Sequence, residues 1–388
     1  MLLGSNESHG KDHKSWWHYS HHSRYLVKIL CISTKCTIVT VLILCMAYFL
    51  VIVSELAQTP SCAVSLQLPA SAGCNRDPRL CERKFSDVSF ATMHNAFASS
   101  QGGFVVAQHR ACIATALVQG VRAFMLDVHL LRSGEIALCH VSCALGSVSV
   151  SKTLGVFREF LELNPREVVT IFWELGYDMQ ENPSTNETRL LRQQLNDTMH
   201  NSQLVAFAHS QQFIPFVGWP EWPTLQTMIS SGKRLVIFSD SPRGNNSYSE
   251  WETIMRDTTR QTSFATQDIA GLDTACSLEP KRRSPRLVVF NHFTALGTLG
   301  INGASTSMLE QISHVKFLAN INKNPFFSKR ILSCMDSLRA FPSFIAVDFW
   351  ESSDVLEVVD MVNSNFYFAN ASWHSAGILS VITTLGFV

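Results

Sequence analysis

Eight short apolar runs, rich in β-branched and aromatic residues, recur along most of this chain and leave it few folds. They are FSDVSFATMH (85–94), VRAFMLDVHL (121–130), EIALCH (135–140), EVVTIFWEL (167–175), LVAFAH (204–209), RLVIFSD (234–240), RLVVFNHF (286–293) and FIAVDFW (344–350). The runs are nearly continuous rather than alternating, the pattern of strands covered on both faces. Helical patterns lie between several of them, at 151–163, 187–199 and 305–320, and Asn164-Pro165 stops the first. This alternation predicts an α/β fold, a TIM-type (β/α)8 barrel, with a doubly wound open sheet as the runner-up. With 46% hydrophobic and only 16% charged residues, the 388-residue chain has ample core and is not of the disordered type. Lys+Arg and Asp+Glu balance at 31 each, which leaves no electrostatic footprint for nucleic acid.

Residues 37–53 read TIVTVLILCMAYFLVIV, and with Cys36 and Ser54 they make 19 uncharged residues, enough to span a bilayer core as a helix. Lys11, Lys14, Arg24, Lys28 and Lys35 precede the segment, against Glu7 and Asp12. The positive-inside rule then predicts a type II single-pass membrane protein. Its parts are a cytosolic tail (1–36), a transmembrane signal anchor (37–54), a stalk (55–73) and a barrel (74–388) on the luminal or extracellular side. A cleaved signal peptide is the rival reading. Sequons at Asn186, Asn196, Asn245 and Asn370 agree with that compartment, as do eight cysteines beyond the anchor. Cys74 with Cys81, and Cys139 with Cys143, are close enough to pair; the full connectivity is open.

Polar residues end the apolar runs. His94-Asn95 follow the first, Asp127 and His129 close the second, and His140 ends the third. Glu174, Asp240, Asn291-His292 and Asp348 end the fourth, sixth, seventh and eighth. In a parallel barrel these ends converge on one rim, where active sites sit. Two histidines with acidic and amide oxygens on one rim suit phosphodiester chemistry. One imidazole can take the proton of an attacking hydroxyl while the other protonates the leaving oxygen. Asn and carboxylate oxygens can hold a hard divalent cation. No G-x-S-x-G elbow or P-loop points elsewhere. Cys139-His140-x-x-Cys143 reads better as a disulfide beside a reactive histidine than as a zinc site, because no fourth ligand is evident.

Five segments together carry a family resemblance: CNRDPRLCERKFSDVSFATMHNAF, QGVRAFMLDVH, EIALCHVSC, NPREVVTIFWEL, and FPSFIAVDFW followed by SSD. In this order they resemble the phosphatidylinositol-specific phospholipase C X-domain family, PLC-like phosphodiesterases of TIM-barrel type, over roughly Cys74 to Asp354. The closest likeness is to the small eukaryotic X-domain-only type. The resemblance implies a phosphoric diester hydrolase that cleaves a phosphoinositide or related phosphodiester. His94 in T-M-H-N would be the general base, leading to a cyclic phosphodiester, and His140 the acid for the departing oxygen. It also implies a Ca2+ (or Mg2+) site at Asn95, Asp127 and Glu174, with Asp348 and Trp350 lining the headgroup pocket. The metal-dependent branch reads E-x-D on strand two, where this chain reads Met125-Leu126-Asp127. One carboxylate is therefore missing, and so is the Arg that the metal-independent branch places at Asp127. Asp127 and Glu174 would then bind a cation weakly, or simply orient the histidines. Arg122 reads as a structural ion-pair partner. Met125 motivates the alternative, a catalytically impaired, membrane-anchored lipid- or glycan-binding barrel. The expected partners are a phospholipid or phosphodiester substrate and a membrane, with no nucleic acid.

Overall fold

The computed structural model describes residues 43, 46–47, 62–140, 142–177, 184–211, 214, 218, 220–239, 249–263, 276–279, 287–293 and 320–364. Of the apolar segment 37–54 these include Ile43, Met46 and Ala47, all helical. The rest of that segment, the tail before it, the helical pattern over 305–319 and residues 365–388 lie outside the described residues. Among the described residues no helix is long and apolar enough to cross a membrane.

Among the described residues twelve strands form one sheet. They are β1 (Phe90–Met93), β2 (Ala123–Leu130), β3 (Ile136–Leu138), β4 (Val148–Ser149), β5 (Val169–Tyr177) and β6 (Ala208–His209), then β7 (Leu235–Ser239), β8 (Thr253–Ile254), β9 (Thr259–Thr262), β10 (Leu278–Glu279), β11 (Leu287–His292) and β12 (Phe344–Val347). The strand order is β10-β9-β11-β12-β1-β2-β5-β7-β6, with β8 also on β7. The pairs from β9 through β7 along this path are all parallel. The result is an α/β fold whose sheet curls into a half-barrel; among the described residues its two edges do not pair.

Three features depart from the expected eight-strand ring. The run at 135–140 gives β3, which pairs antiparallel with β2 (Val128 opposite Leu138) and carries β4 on its far side. A few residues between β2 and β3 allow a hairpin, whereas a parallel crossover needs a dozen or more. The run at 204–209 starts as a 3-10 turn, Leu204–Phe207, and only Ala208–His209 extend, pairing with β7. It does not insert between β5 and β7, which pair directly from Val169 opposite Leu235. Finally, β9 comes from the polar stretch TRQT, which has no apolar signal, yet it pairs in parallel with β11.

Among the described residues seven helices accompany the sheet: α1 (Ile113–Gln119), α2 (Val150–Leu163), α3 (Thr185–Asn201), α4 (Leu225–Ser230), α5 (Met255–Thr258), α6 (Phe326–Leu338) and α7 (Val355–Ser364). Two of them fall where the periodicity predicts, because both are well capped. Ser149 Oγ accepts from the Lys152 amide (3.3 Å) at the start of α2. Ser184 and Glu187 form a reciprocal capping box at the start of α3.

Alternation along the strands sorts their side chains into two cores. Phe90, Ala123, Phe172, Phe238, Val289 and Phe344 face the lumen of the curl, together with Phe85 and Trp222. Met93, Phe124, Ile171, Ile237, Phe290 and Val347 face outward against Phe157 and Phe160 of α2 and Phe327 of α6. Apolar surface on both sides explains the unbroken hydrophobic runs. Under the sheet Arg122 pairs with Glu167 (2.6 Å), both about 4% exposed, in the structural role expected of it.

The described part of the expected stalk, residues 62–73, packs onto this body. Leu66 and Leu68 are buried in the outer core. Asn164, at the end of α2, donates to the Leu66 carbonyl (2.8 Å) and accepts from the Leu68 amide (2.9 Å). Its Ser, Ala and Pro content reads as a linker; the two leucines decide otherwise. Four disulfides join Cys62–Cys112, Cys74–Cys81, Cys139–Cys143 and Cys276–Cys334, using all eight cysteines beyond the anchor.

Candidate active site

Inward alternation continues past the strand ends and delivers the polar residues. On β1 the inward series Phe90 and Thr92 leads to His94, and on β12 Phe344 and Ala346 lead to Asp348. On β2 and β5 the inward residues Asp127 and Glu174 are direct register partners. His140 arrives differently, from the hairpin after β3, held between Cys139 and Cys143.

Two imidazole–carboxylate pairs result. His94 donates from Nδ1 to Asp348 Oδ1 at 2.9 Å and stacks on Phe293, ring centroids 3.6 Å apart and 4° from parallel. Asp348 is 2% exposed. His140 Nδ1 lies 3.2 Å from Asp127 Oδ2. In both, the carboxylate fixes the proton on Nδ1 and leaves Nε2 as the working nitrogen. Burial acts to lower the His140 pKa, but the hydrogen bond and charge of Asp127, with the charges of Asp348 and Glu174, outweigh it and raise the value above the ordinary one. The charge of Asp348 thus reaches both histidines.

Asn95 ties the pairs together. It follows His94 directly, is 2% exposed, and its side chain lies 3.3 Å from His140 Nδ1. Its hydrogen bonds are satisfied with the amide nitrogen toward Asp127, donating to Oδ2 at 3.0 Å and Oδ1 at 3.2 Å. The oxygen then faces the side-chain amide of Gln108, 2.6 Å away. Asn95 has φ +44° and Phe349, the residue after Asp348, has φ +48°. His94 and Asp348 are therefore each followed at once by a left-handed residue that turns the chain off the sheet. Asparagine tolerates this conformation; phenylalanine is strained in it.

The implied divalent cation can be tested against these donors. Asn95 offers Asp127 a nitrogen, and its oxygen is turned to Gln108 and His140. Asp127 already accepts from Asn95 and His140. Met125, partly buried against the luminal core, stands where a further carboxylate would be. Asn95 and Asp127 are thus engaged with each other, with His140 and with Gln108, while Glu174 stands beside Asp127 in register, and no step below passes through a cation.

Of the expected site residues, the structure brings together His94, Asn95, Asp127, His140 and Asp348, with Glu174 register-paired to Asp127. Trp350 does not join them. It is 2% exposed and packs in the outer core. Asp348, expected to line the headgroup pocket, accepts from His94 Nδ1. His292 points to the outer face, where it receives a bond from Arg330 and stacks on Phe327. Gln108 and His109 reach the site from a loop without a motif, and no sequence signal marks them.

Residues 80–363 match the family model "PI-PLC X 1", and the chain belongs to this family of phospholipase C-like phosphodiesterases. Among curated relatives, "PI-PLC X domain-containing protein 1" of Arthroderma benhamiae is 29% identical over 45% of this chain and 53% of its own length. An "Uncharacterized secreted protein" of the same organism is 23% identical over 73% of this chain and 61% of its own. The chain thus spans between about half and three fifths of the relatives it matches. Among solved structures, a phosphatidylinositol-specific phospholipase C of Staphylococcus aureus aligns with 14% identity and a TM-score of 0.47, covering 72% of this chain and 94% of that one. The Listeria monocytogenes enzyme aligns with 12% identity and a TM-score of 0.46, over 74% and 95%.

Proposed function

We propose that this protein is a phosphodiesterase of phospholipase C type that cleaves a phosphoinositide or a related phosphodiester by paired histidine catalysis. The carrying observation is geometric: two imidazoles, each with Nδ1 held by an inward-facing carboxylate, are joined through Asn95 at one end of the half-barrel. His94 Nε2 takes the proton of the attacking hydroxyl as its oxygen bonds to phosphorus. The phosphorus bond to the leaving oxygen breaks, and His140 supplies the proton that oxygen needs. Burial opposes it, but the hydrogen bond and charge of Asp127 raise the His140 pKa above the ordinary value, the direction that suits the acid. Where the nucleophile is a hydroxyl of the substrate's own headgroup, the first product is a cyclic phosphodiester.

Phosphorus NMR on phosphatidylinositol micelles tests this directly. A cyclic phosphate should form, and His94→Ala and His140→Ala should each slow turnover by roughly 100-fold or more. Full turnover in both variants rejects the assignment. Met125 favours a second reading, a binding barrel without chemistry, which predicts micelle binding by the wild type and no product with or without divalent cations.

The same proposal places the body on the luminal or extracellular side of a membrane, anchored through residues 37–54. The four disulfides support an oxidising compartment. Protection of the body from added protease in sealed microsomes tests the orientation.

A further inference from the structure

Three successive residues in the loop between β1 and α1 meet the site from behind. His109, 0% exposed, donates from Nε2 to the main-chain carbonyl of His94 at 2.5 Å. The Gln108 carbonyl accepts from the Phe349 amide at 2.8 Å, and its side chain faces Asn95. The Arg110 amide donates to Glu351 at 2.5 Å. The amides of Gln108 and His109 both donate to the Ala98 carbonyl, at 2.8 and 3.2 Å, which ties the segment to the turn leaving β1. The points it holds are the His94 backbone and the two left-handed residues, Asn95 and Phe349. Strained conformations of this kind persist only where the surroundings over-determine them.

We infer that residues 108–110 form a clamp with His109 as its central positioning residue, setting the His94–Asp348 contact by fixing the His94 carbonyl against the turn after Asp348. This inference rests on the reading of His94 as the general base. The His109 ring is a poor choice for packing alone. Its Nδ1 is buried without a hydrogen-bond partner, an arrangement that an aliphatic side chain would avoid. Burial lowers its pKa to about 4, against the opposing charge of Asp348, so the ring is neutral and carries one proton. That proton is on Nε2, where the His94 carbonyl accepts it.

His109→Leu and His109→Gln in the full chain separate the donor from the volume, since the Gln amide nitrogen can occupy the place of Nε2. On phosphatidylinositol micelles, His109→Leu should lower kcat roughly 10- to 100-fold with KM little changed, and His109→Gln should recover most of it. In proton NMR the downfield Nδ1 proton of the His94–Asp348 pair should vanish in the Leu variant and survive in the Gln variant, a readout that needs no turnover. Equal behaviour of the two variants in both measurements overturns the clamp. If His109→Leu fails to fold, Gln108→Met carries the test, because it removes only the amide facing Asn95; an unchanged kcat and an unchanged Nδ1 signal there overturn the proposal. Retained turnover in His94→Ala would instead reject the reading of the site, and so identifies which of the two ideas failed.

Discussion

Replacing His292 with Asn should flatten the acid side of the protein's stability curve. The ring is 0% exposed, donates from Nε2 to the Ile321 carbonyl (3.1 Å) and accepts at Nδ1 from Arg330 (3.1 Å). Burial, and then the Arg330 charge, lower its pKa to about 3. The folded value lies below the ordinary one near 6.5, so between these values the unfolded chain binds more protons. Stability from this residue is complete above about pH 6.5 and is lost as pH falls toward 3. Between pH 6.5 and pH 4, at about 1.4 kcal/mol per decade of proton activity, the loss is about 3 kcal/mol, a large part of the ~5–15 kcal/mol typical of a domain. Asn cannot titrate, and its Oδ1 can still accept from Arg330. It loses the bond to Ile321, which costs about 1–3 kcal/mol at every pH. Urea unfolding followed by circular dichroism at about pH 7 and pH 4 measures the difference. The wild type should lose about 3 kcal/mol more than the variant on acidification. His109 titrates in both proteins and cancels. Identical pH dependence in the two would show that His292 is not a buried neutral ring.

Three further outcomes follow from the same contacts. Asp127→Asn removes the hydrogen bond and charge that hold the His140 pKa up, so the alkaline limb of the kcat profile should move to lower pH and kcat should fall roughly 10- to 100-fold; an unmoved limb would remove His140 from the role of acid. Replacing Cys139 and Cys143 together with Ser opens a bridge whose sequence separation of 4 contributes only about 2 kcal/mol, against about 4 for the separation of 50 between Cys62 and Cys112. Its main effect should therefore be on kcat, through His140, with a melting-temperature shift of only a few degrees by calorimetry. Arg122→Met strands the Glu167 carboxylate under the sheet and should destabilise the fold by about 3–5 kcal/mol in urea titrations, while specific activity of the folded fraction stays unchanged.

The sequence by itself determined the α/β class, because short continuous apolar runs rich in β-branched residues, such as EVVTIFWEL, alternate with amphipathic helical patterns. It also put His94, Asp127, Glu174 and Asp348 at strand ends, which parallel pairing brings to one rim; the register decides which of these strand-end residues face inward. Segment 85–94 showed where β1 would lie, though the strand itself is only Phe90–Met93. Local pattern did not reach the pairing partners. The hairpin that carries His140 is settled by the short turn between β2 and β3, and the direct contact of β5 with β7 and the polar strand β9 by long-range hydrogen bonds; none of these leaves a mark on hydrophobic periodicity. The partner of each histidine was likewise beyond local reading: Asp348 lies 254 residues from His94, and the two meet only because β1 and β12 pair in register. The clamp at 108–110 is the extreme case, a loop without motif or period, whose role arises from where its donors and acceptors fall once the sheet has curled.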